Sequence, residues 1–252
     1  MEVLTSRQNP LCSEIRKLRA QRKYRYQQRL FLADGVKLVG EALQNHAPVE
    51  RLVLQEAICL PFDIPDEIPV TLVSKELMDY ISVMDCPQGI LAICRMPEPA
   101  PLELMPGTLI LSDLQDPGNL GTILRTADAL DVPVILADGC ADPYSEKVVR
   151  SSMGAVFRRK PLLSGNTELI ALCKEAGIPL AVTRLSPDSM DIRKAELSSY
   201  ALIIGNEGHG VSKDFLDAAD VSLIIPMNPH CESLNAASAA TIVLWQLYLN
   251  RG

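Results

Sequence analysis

Across residues 1–96 the apolar positions switch repeatedly between helical spacing and strict alternation. Leu11, Ile15 and Leu18 fall on one helical face within a strongly polar stretch. A short strand follows in FLA (31–33), then a helix in VKLVGEALQN and a strand in ERLVLQ. Beyond a proline-rich loop come a strand in VTLVS, a helix in KELMDYI and a strand in GILAICR. This order predicts a small α/β domain over residues 1–96. Pro97, Pro99, Pro101 and Pro106 then crowd RMPEPAPLELMPG, which can form neither a helix nor a central strand, so residues 97–107 read as a linker.

From residue 108 to 252 the alternation is cleaner. The β-branched runs TLILSDL, PVILAD, PLAVTRL, YALIIGN and VSLIIP are separated by helical stretches starting near Asn119, Ser145, Asn166 and Ser212. Gly177 stands where a helix end favours a left-handed residue. Repeated βα units predict a mostly parallel sheet with helices on both faces. The closing SLNAASAATIVLWQLYL is apolar nearly all round, which predicts a helix buried in its own core or against a second subunit.

In open parallel sheets ligands bind beyond the carboxyl ends of strands. Three such ends carry unusual residues: DPGNLGTILRTADAL, IIGNEGHGVS and IIPMNPHCESLNAAS. Gly205, Gly208 and Gly210 would let backbone groups approach a ligand closely. The spacing is neither GxGxxG nor GxxxxGK[ST], which weighs against a nucleotide-dependent oxidoreductase and a P-loop. Polar side chains gather at the same ends: Asn119, Arg125, Glu207, Ser233 and Asn235. Arg125 sits in the apolar run ILRTADAL, which predicts an inward-pointing charge with a partner. A structural ion pair with Glu207 and a shared role toward a ligand are both open. Ser233 is not in a GxSxG elbow, and the histidines lack zinc-site spacing, so no metal is expected.

The net charge of −7 argues against a polyanionic partner until its distribution is read. Residues 7–29 hold Arg7, Arg16, Lys17, Arg19, Arg22, Lys23, Arg25 and Arg29 against Glu14 alone, a local +7 on a remainder of −14. Such a segment is either a solvated helix face or an electrostatic footprint for nucleic acid. The seven cysteines form no CxxC pair, no apolar run reaches membrane-spanning length, and MEVLTSRQNP has no secretory apolar region. Together these point to the cytoplasm.

The three strand-end segments, in that order, resemble the motifs of the SpoU class of SPOUT-superfamily RNA ribose methyltransferases. The resemblance continues in SEKVVRSSMGAVF between them and in SRQNP and PQGILAI before them, so it covers most of the chain. It implies a C-terminal parallel sheet with a deep trefoil knot, preceded by a ribosomal-protein-like α/β domain that grips RNA. It further implies S-adenosylmethionine held by Gly205, Ile225 and Leu234 with Asn206, Gly208 and Met227 nearby. The reacting ribose 2′-hydroxyl would then lie at Arg125, surrounded by Asn119, Glu207, Ser233 and Asn235.

The same resemblance implies a homodimer through the knotted domain, which would account for the apolar last helix. RNA would lie on Arg16, Lys17, Arg19, Arg22, Lys23, Arg25 and Arg150, with Lys147, Arg158, Arg159 and Lys160 adding charge, and binding would weaken steeply with salt. Neither a membrane nor DNA, which lacks the 2′-hydroxyl, is expected as a partner. Two positions depart from the family pattern: Asp34 stands where Glu is usual, and Asp131 where Gly is usual. A folded N-terminal domain favours ribosomal RNA. Transfer RNA is the alternative substrate, and a non-catalytic RNA-binding assembly factor is the alternative function.

Overall fold

The computed structural model describes residues 2–98, 101–206, 208–228, 230–231 and 233–251. Two compact units emerge: residues 1–98 with 142–158, and residues 99–141 with 159–252.

The first unit contains β1 (Val3–Leu4), α1 (Pro10–Ala20), α2 (Arg22–Gln28), β2 (Leu30–Asp34), α3 (Val36–Gln44), β3 (Val49–Gln55), β4 (Val70–Val73), α4 (Lys75–Ile81) and β5 (Ile90–Arg95). Its strands form one mixed sheet in the order β1-β4-β3-β5-β2. Asn9 caps α1 by accepting from the Leu11 N–H at 2.9 Å, with Pro10 in the first turn, where its missing N–H costs nothing. Gln21 is extended (φ −121°), so the basic run forms two helices. Cys12, Ile15 and Leu18 of α1 pack with Leu32, Val53, Leu77 and Leu91 into the core that the apolar pattern predicts.

The second unit contains β6 (Leu109–Leu111), α5 (Pro117–Ala129) and β7 (Val134–Leu136). The chain then forms α6 (Glu146–Ser151) and α7 (Ala155–Arg158), which pack with the first unit. It returns through β8 (Leu162–Leu163), α8 (Asn166–Ala176), β9 (Leu180–Thr183), β10 (Met190–Asp191), β11 (Ala201–Ile204), α9 (Lys213–Ala218), β12 (Val221–Ile224) and α10 (Ala236–Arg251). The strands form a seven-stranded sheet, β10-β12-β9-β11-β6-β7-β8, and every pairing in it is parallel. The fold class is therefore the expected α/β one. No helix among the described residues is long and apolar enough to cross a membrane.

Two sequence expectations change. Residues 142–158, expected with the C-terminal half, cluster with the first unit. Asp142 is buried against Arg25, and Phe31 of β2 lies against Tyr144 and Phe157 with ring centroids 5.0 and 5.9 Å away. Within the expected linker, Leu102 and Leu104 pack on the core of the second unit, while Pro99 and Ala100 lie outside the described residues. The last helix buries Ala236, Ala240, Val243, Leu244 and Leu247 within its own unit, yet Ile242, Trp245, Tyr248 and Leu249 stand exposed. It is thus apolar on both faces and covered on one.

The two departures from the family pattern have local explanations. Asp131 is left-handed at φ +54°, a conformation glycine adopts without strain, and its carboxylate pairs with Arg159. Asp34 is buried at the end of β2, where it accepts from Ser82 Oγ at 2.7 Å and from the Val83 N–H at 2.8 Å. Burial pushes its carboxyl above the ordinary aspartate range, and the two hydrogen bonds oppose that rise.

Candidate active site

The strands β12, β9 and β11 are neighbours, and their carboxyl ends open into one cavity of about 560 Å³. Gly205, Asn206 and Gly208 line it after β11, Ile225 and Met227 after β12, and Ser233 and Leu234 just before α10. All six residues expected to surround a cofactor therefore share one wall system, with Ser233 of the expected reacting set beside them. The sheet places the first of them there, because Gly205 and Ile225 directly follow the last paired residues of β11 and β12.

Gly205 is the tightest point. A Cβ at this position would lie 2.2 Å from the carbonyl carbon and oxygen of Gly210 and 2.3 Å from the Val211 nitrogen. The reason is a narrow turn: Asn206 and Gly210 exchange two backbone hydrogen bonds, each 2.9 Å. Asn206 Oδ1 accepts from the Gly208 and His209 N–H groups at 2.7 and 3.2 Å, and its Nδ2 donates to the Asp113 carbonyl at 3.1 Å. The turn is thus pinned to the loop after β6. Glu207 lies outside the described residues.

Two helix starts converge beside this turn. Asp116 caps α5 by accepting from the Asn119 N–H at 2.8 Å. Asn235 caps α10 by accepting from the Ala237 and Ser238 N–H groups at 3.0 and 3.3 Å. Asn235 Nδ2 then donates to Asn119 Oδ1 at 3.0 Å, joining two residues 116 positions apart. The side chains at the two caps hold the ends of the first and third motif segments in contact.

Arg125 departs from its expectation. The buried face of α5 is Leu120, Ile123, Leu124 and Ala127, and Arg125 is exposed on the opposite side with no ion pair among the described residues. It does not line the cavity. The apolar context suggested an inward charge, but the helix phase turns Arg125 outward.

Arg25 is a second correction. The basic run groups it with RNA-facing cations, yet it is 5% exposed. Its Nε donates to Asp142 at 2.8 Å, its Nη2 also pairs with that carboxylate, and Nη1 donates to the Leu18 and Arg19 carbonyls. Tyr26 adds a hydroxyl to the same carboxylate at 3.2 Å. Burial first, and then the neighbouring Asp142 charge, push its phenol up to about 12. These contacts consume the guanidinium and leave no donor fork for a phosphate. Arg16, Lys17, Arg19, Arg22 and Lys23 are exposed, and Arg150 is exposed but paired with Glu146.

Residues 106–245 match the SpoU rRNA Methylase family, and residues 9–92 match the MRM3-like substrate binding domain. The chain belongs to the SpoU rRNA methylase family. It is a member of a family of S-adenosylmethionine-dependent RNA methyltransferases. Across 98% of its length it is 33% identical to the 23S rRNA (guanosine(2553)-2′-O)-methyltransferase RlmP of Bacillus subtilis, covering 99% of that protein. A crystal structure of an RNA 2′-O ribose methyltransferase superposes with a TM-score of 0.83 at 32% identity, covering 99% of both chains. An rRNA methyltransferase from Sinorhizobium meliloti with S-adenosylmethionine bound gives 0.84 at 31% identity, over 98% of this chain and 97% of that one.

The cavity suits this cofactor on its own terms. It has apolar walls in Ile204, Leu223, Ile225 and Leu234, and a bare backbone at Gly205 on which no side chain could fit. The sequence reading missed Thr183 and Arg184, which also line the cavity. The available signal was positional. They lie toward the carboxyl end of the strand run PLAVTRL, where a parallel sheet binds its ligands.

Proposed function

We propose that the protein methylates a ribose 2′-hydroxyl in ribosomal RNA, with the cofactor in the cavity over β12, β9 and β11. The observation that carries this reading is the meeting of Gly205, Asn206, Gly208, Ile225, Met227, Ser233 and Leu234 on that one cavity. Ribosomal RNA is favoured over transfer RNA because a relative matching 98% of the chain is a 23S rRNA methyltransferase by its name. DNA has no 2′-hydroxyl and is no substrate.

S-adenosylmethionine, when bound, supplies a methyl group activated by its sulfonium. The backbone around Gly205, Ile225 and Leu234 is assigned to hold it, and the adjoining Asn119–Asn235 contact to fix the wall on which the ribose docks. Orientation of this kind contributes a large part of an in-line displacement. The ribose hydroxyl must give up its proton, which passes to solvent water, and negative charge develops on its oxygen as it does so. Arg125, an exposed guanidinium with donors and no acceptor, stabilises that charge or grips the adjacent phosphate. Glu207 is assigned to orient Arg125.

The test is transfer of labelled methyl from S-adenosylmethionine to ribosomal and transfer RNA pools from cells lacking the protein. Label in ribosomal RNA that maps to ribose is the expected result, and label confined to transfer RNA would sink the substrate assignment. Arg125→Lys is expected to lower kcat by about 100-fold with cofactor affinity unchanged, because a point charge cannot replace a planar fork. Near-full kcat in that variant would refute the role.

The homodimer belongs to the same reading. Trp245 and Tyr248 stack at 5.7 Å on the uncovered face of α10, with Ile242 and Leu249 exposed beside them. A second copy would bury this apolar surface, and the family's trefoil knot would lie in the domain that carries it. Trp245→Glu is expected to convert a dimer to a monomer in sedimentation, and an unchanged mass would count against this face.

A further inference from the structure

The first unit contains a separate cavity of about 630 Å³, bounded by α1, α2 and the β1-β4-β3 side of its sheet. Lys17, Tyr24, Arg51, Thr71, Asn9 and Glu14 line it. Arg51 Nη1 donates to Thr71 Oγ1 at 2.9 Å, which fixes the guanidinium while leaving most of its five N–H donors for another acceptor. The Lys17 ammonium lies 5.5 Å from the centre of the Tyr24 ring, which is half-buried. A π face, two cations and short hydrogen-bonding side chains therefore border one open space.

That combination fits a single nucleotide better than it fits a peptide or a duplex. An aromatic ring stacks on any unpaired base, and the cations take its phosphate. A base inside a duplex has no free face to offer. Glu14, three residues before Lys17 on α1, repels a second phosphate and offers an acceptor to an exocyclic amine. Beyond the cavity the cationic track continues. Arg16 donates to the Tyr80 hydroxyl at 2.6 Å, and the guanidiniums of Arg7 and Arg16 lie 4.6 and 5.2 Å from the Tyr80 ring centre.

We infer that this cavity captures one unstacked nucleotide of a single-stranded stretch of the substrate RNA, its base on Tyr24 and its phosphate between Lys17 and Arg51. The inference rests on the reading of the protein as an RNA-modifying enzyme and adds an RNA contact within the first unit. On entry the base replaces the Lys17 ammonium at the ring, and the ammonium moves to the phosphate.

The experiment is a fluorescence-anisotropy titration of a short single-stranded RNA into the full chain, with S-adenosylmethionine binding measured calorimetrically in parallel. Arg51→Met, Lys17→Met and Tyr24→Ala should each weaken RNA binding by about tenfold, Tyr24→Phe should stay within about twofold, and cofactor affinity should not move. Arg51→Met and Lys17→Met carry the test if Tyr24→Ala melts, since both replace side chains outside the buried core. Losing one phosphate contact should also flatten the salt dependence by about one unit of slope. Variants that bind the RNA like wild type would overturn the cavity. So would a free nucleoside monophosphate that binds as tightly as the RNA and is lost in the same variants, since the ligand would then be a small molecule. A wild-type chain that binds cofactor and no RNA at all would overturn the RNA reading itself, and the cavity with it.

Discussion

Gly205→Ala is expected to reduce S-adenosylmethionine affinity by at least about 100-fold, equivalent to about 2.7 kcal/mol. The added methyl would sit 2.2 Å from the backbone of Gly210, and ordinary contact begins near 3.4 Å, so the turn must give way by about 1 Å. Nothing flexible stands in the way that could move instead, because the atoms met are all main chain. Relief has to come from opening the Asn206–Gly210 hydrogen bonds, and these set the cavity wall. Overpacking of this type costs about 1–3 kcal/mol in stability as well. Gly208→Ala is the control. Its Cβ would meet only Asn206 Oδ1 at 3.4 Å, so affinity should stay within about threefold. Calorimetric titration distinguishes the two, and wild-type affinity in Gly205→Ala would mean that the turn does not seat the cofactor.

Arg25→Met is expected to destabilise the first unit by about 3–5 kcal/mol, among the larger losses a single substitution produces. Arg25 and Asp142 have side chains 6% exposed each, so removing the cation leaves a buried carboxylate with, among the described residues, the Tyr26 hydroxyl and the Tyr144 N–H as its remaining donors. The penalty is that of an uncompensated buried charge. The double variant Arg25→Met with Asp142→Leu should therefore recover more than half of it. Arg22→Met, on an exposed neighbour in the same basic run, should change stability by no more than about 0.5 kcal/mol. Urea unfolding followed by tryptophan-independent circular dichroism reads all three. Equal losses in the Arg22 and Arg25 variants would show that the pair is unimportant.

The Arg25–Asp142 pair also explains why the chain divides in space where the sequence suggests no break. Residues 142–158 follow β7 without a linker and lie within the span matching the methylase family, and in sequence they read as part of that half. Their placement depends on Asp142 finding a guanidinium 117 positions earlier and on Tyr144 and Phe157 reaching Phe31. No local pattern encodes a partner that distant.

The sequence by itself determined the α/β alternation and the glycine-rich turn that follows the strand ending at Ile204. Hydrophobic period reports which residues of one segment face a core, and a strand followed at once by a glycine-rich turn is a local signal of the same kind. Tertiary structure alone decided which strand ends adjoin, which brought Thr183 and Arg184 into the cavity beside the expected residues. It also turned Arg125 outward on α5, buried Arg25 within a run of exposed cations, and joined Asn119 to Asn235. In each case the outcome depends on the free energy of a pairing between distant segments: burial of a charge that finds its counter-ion, or the phase at which a helix meets its neighbour. A residue's own neighbours in sequence carry no record of either.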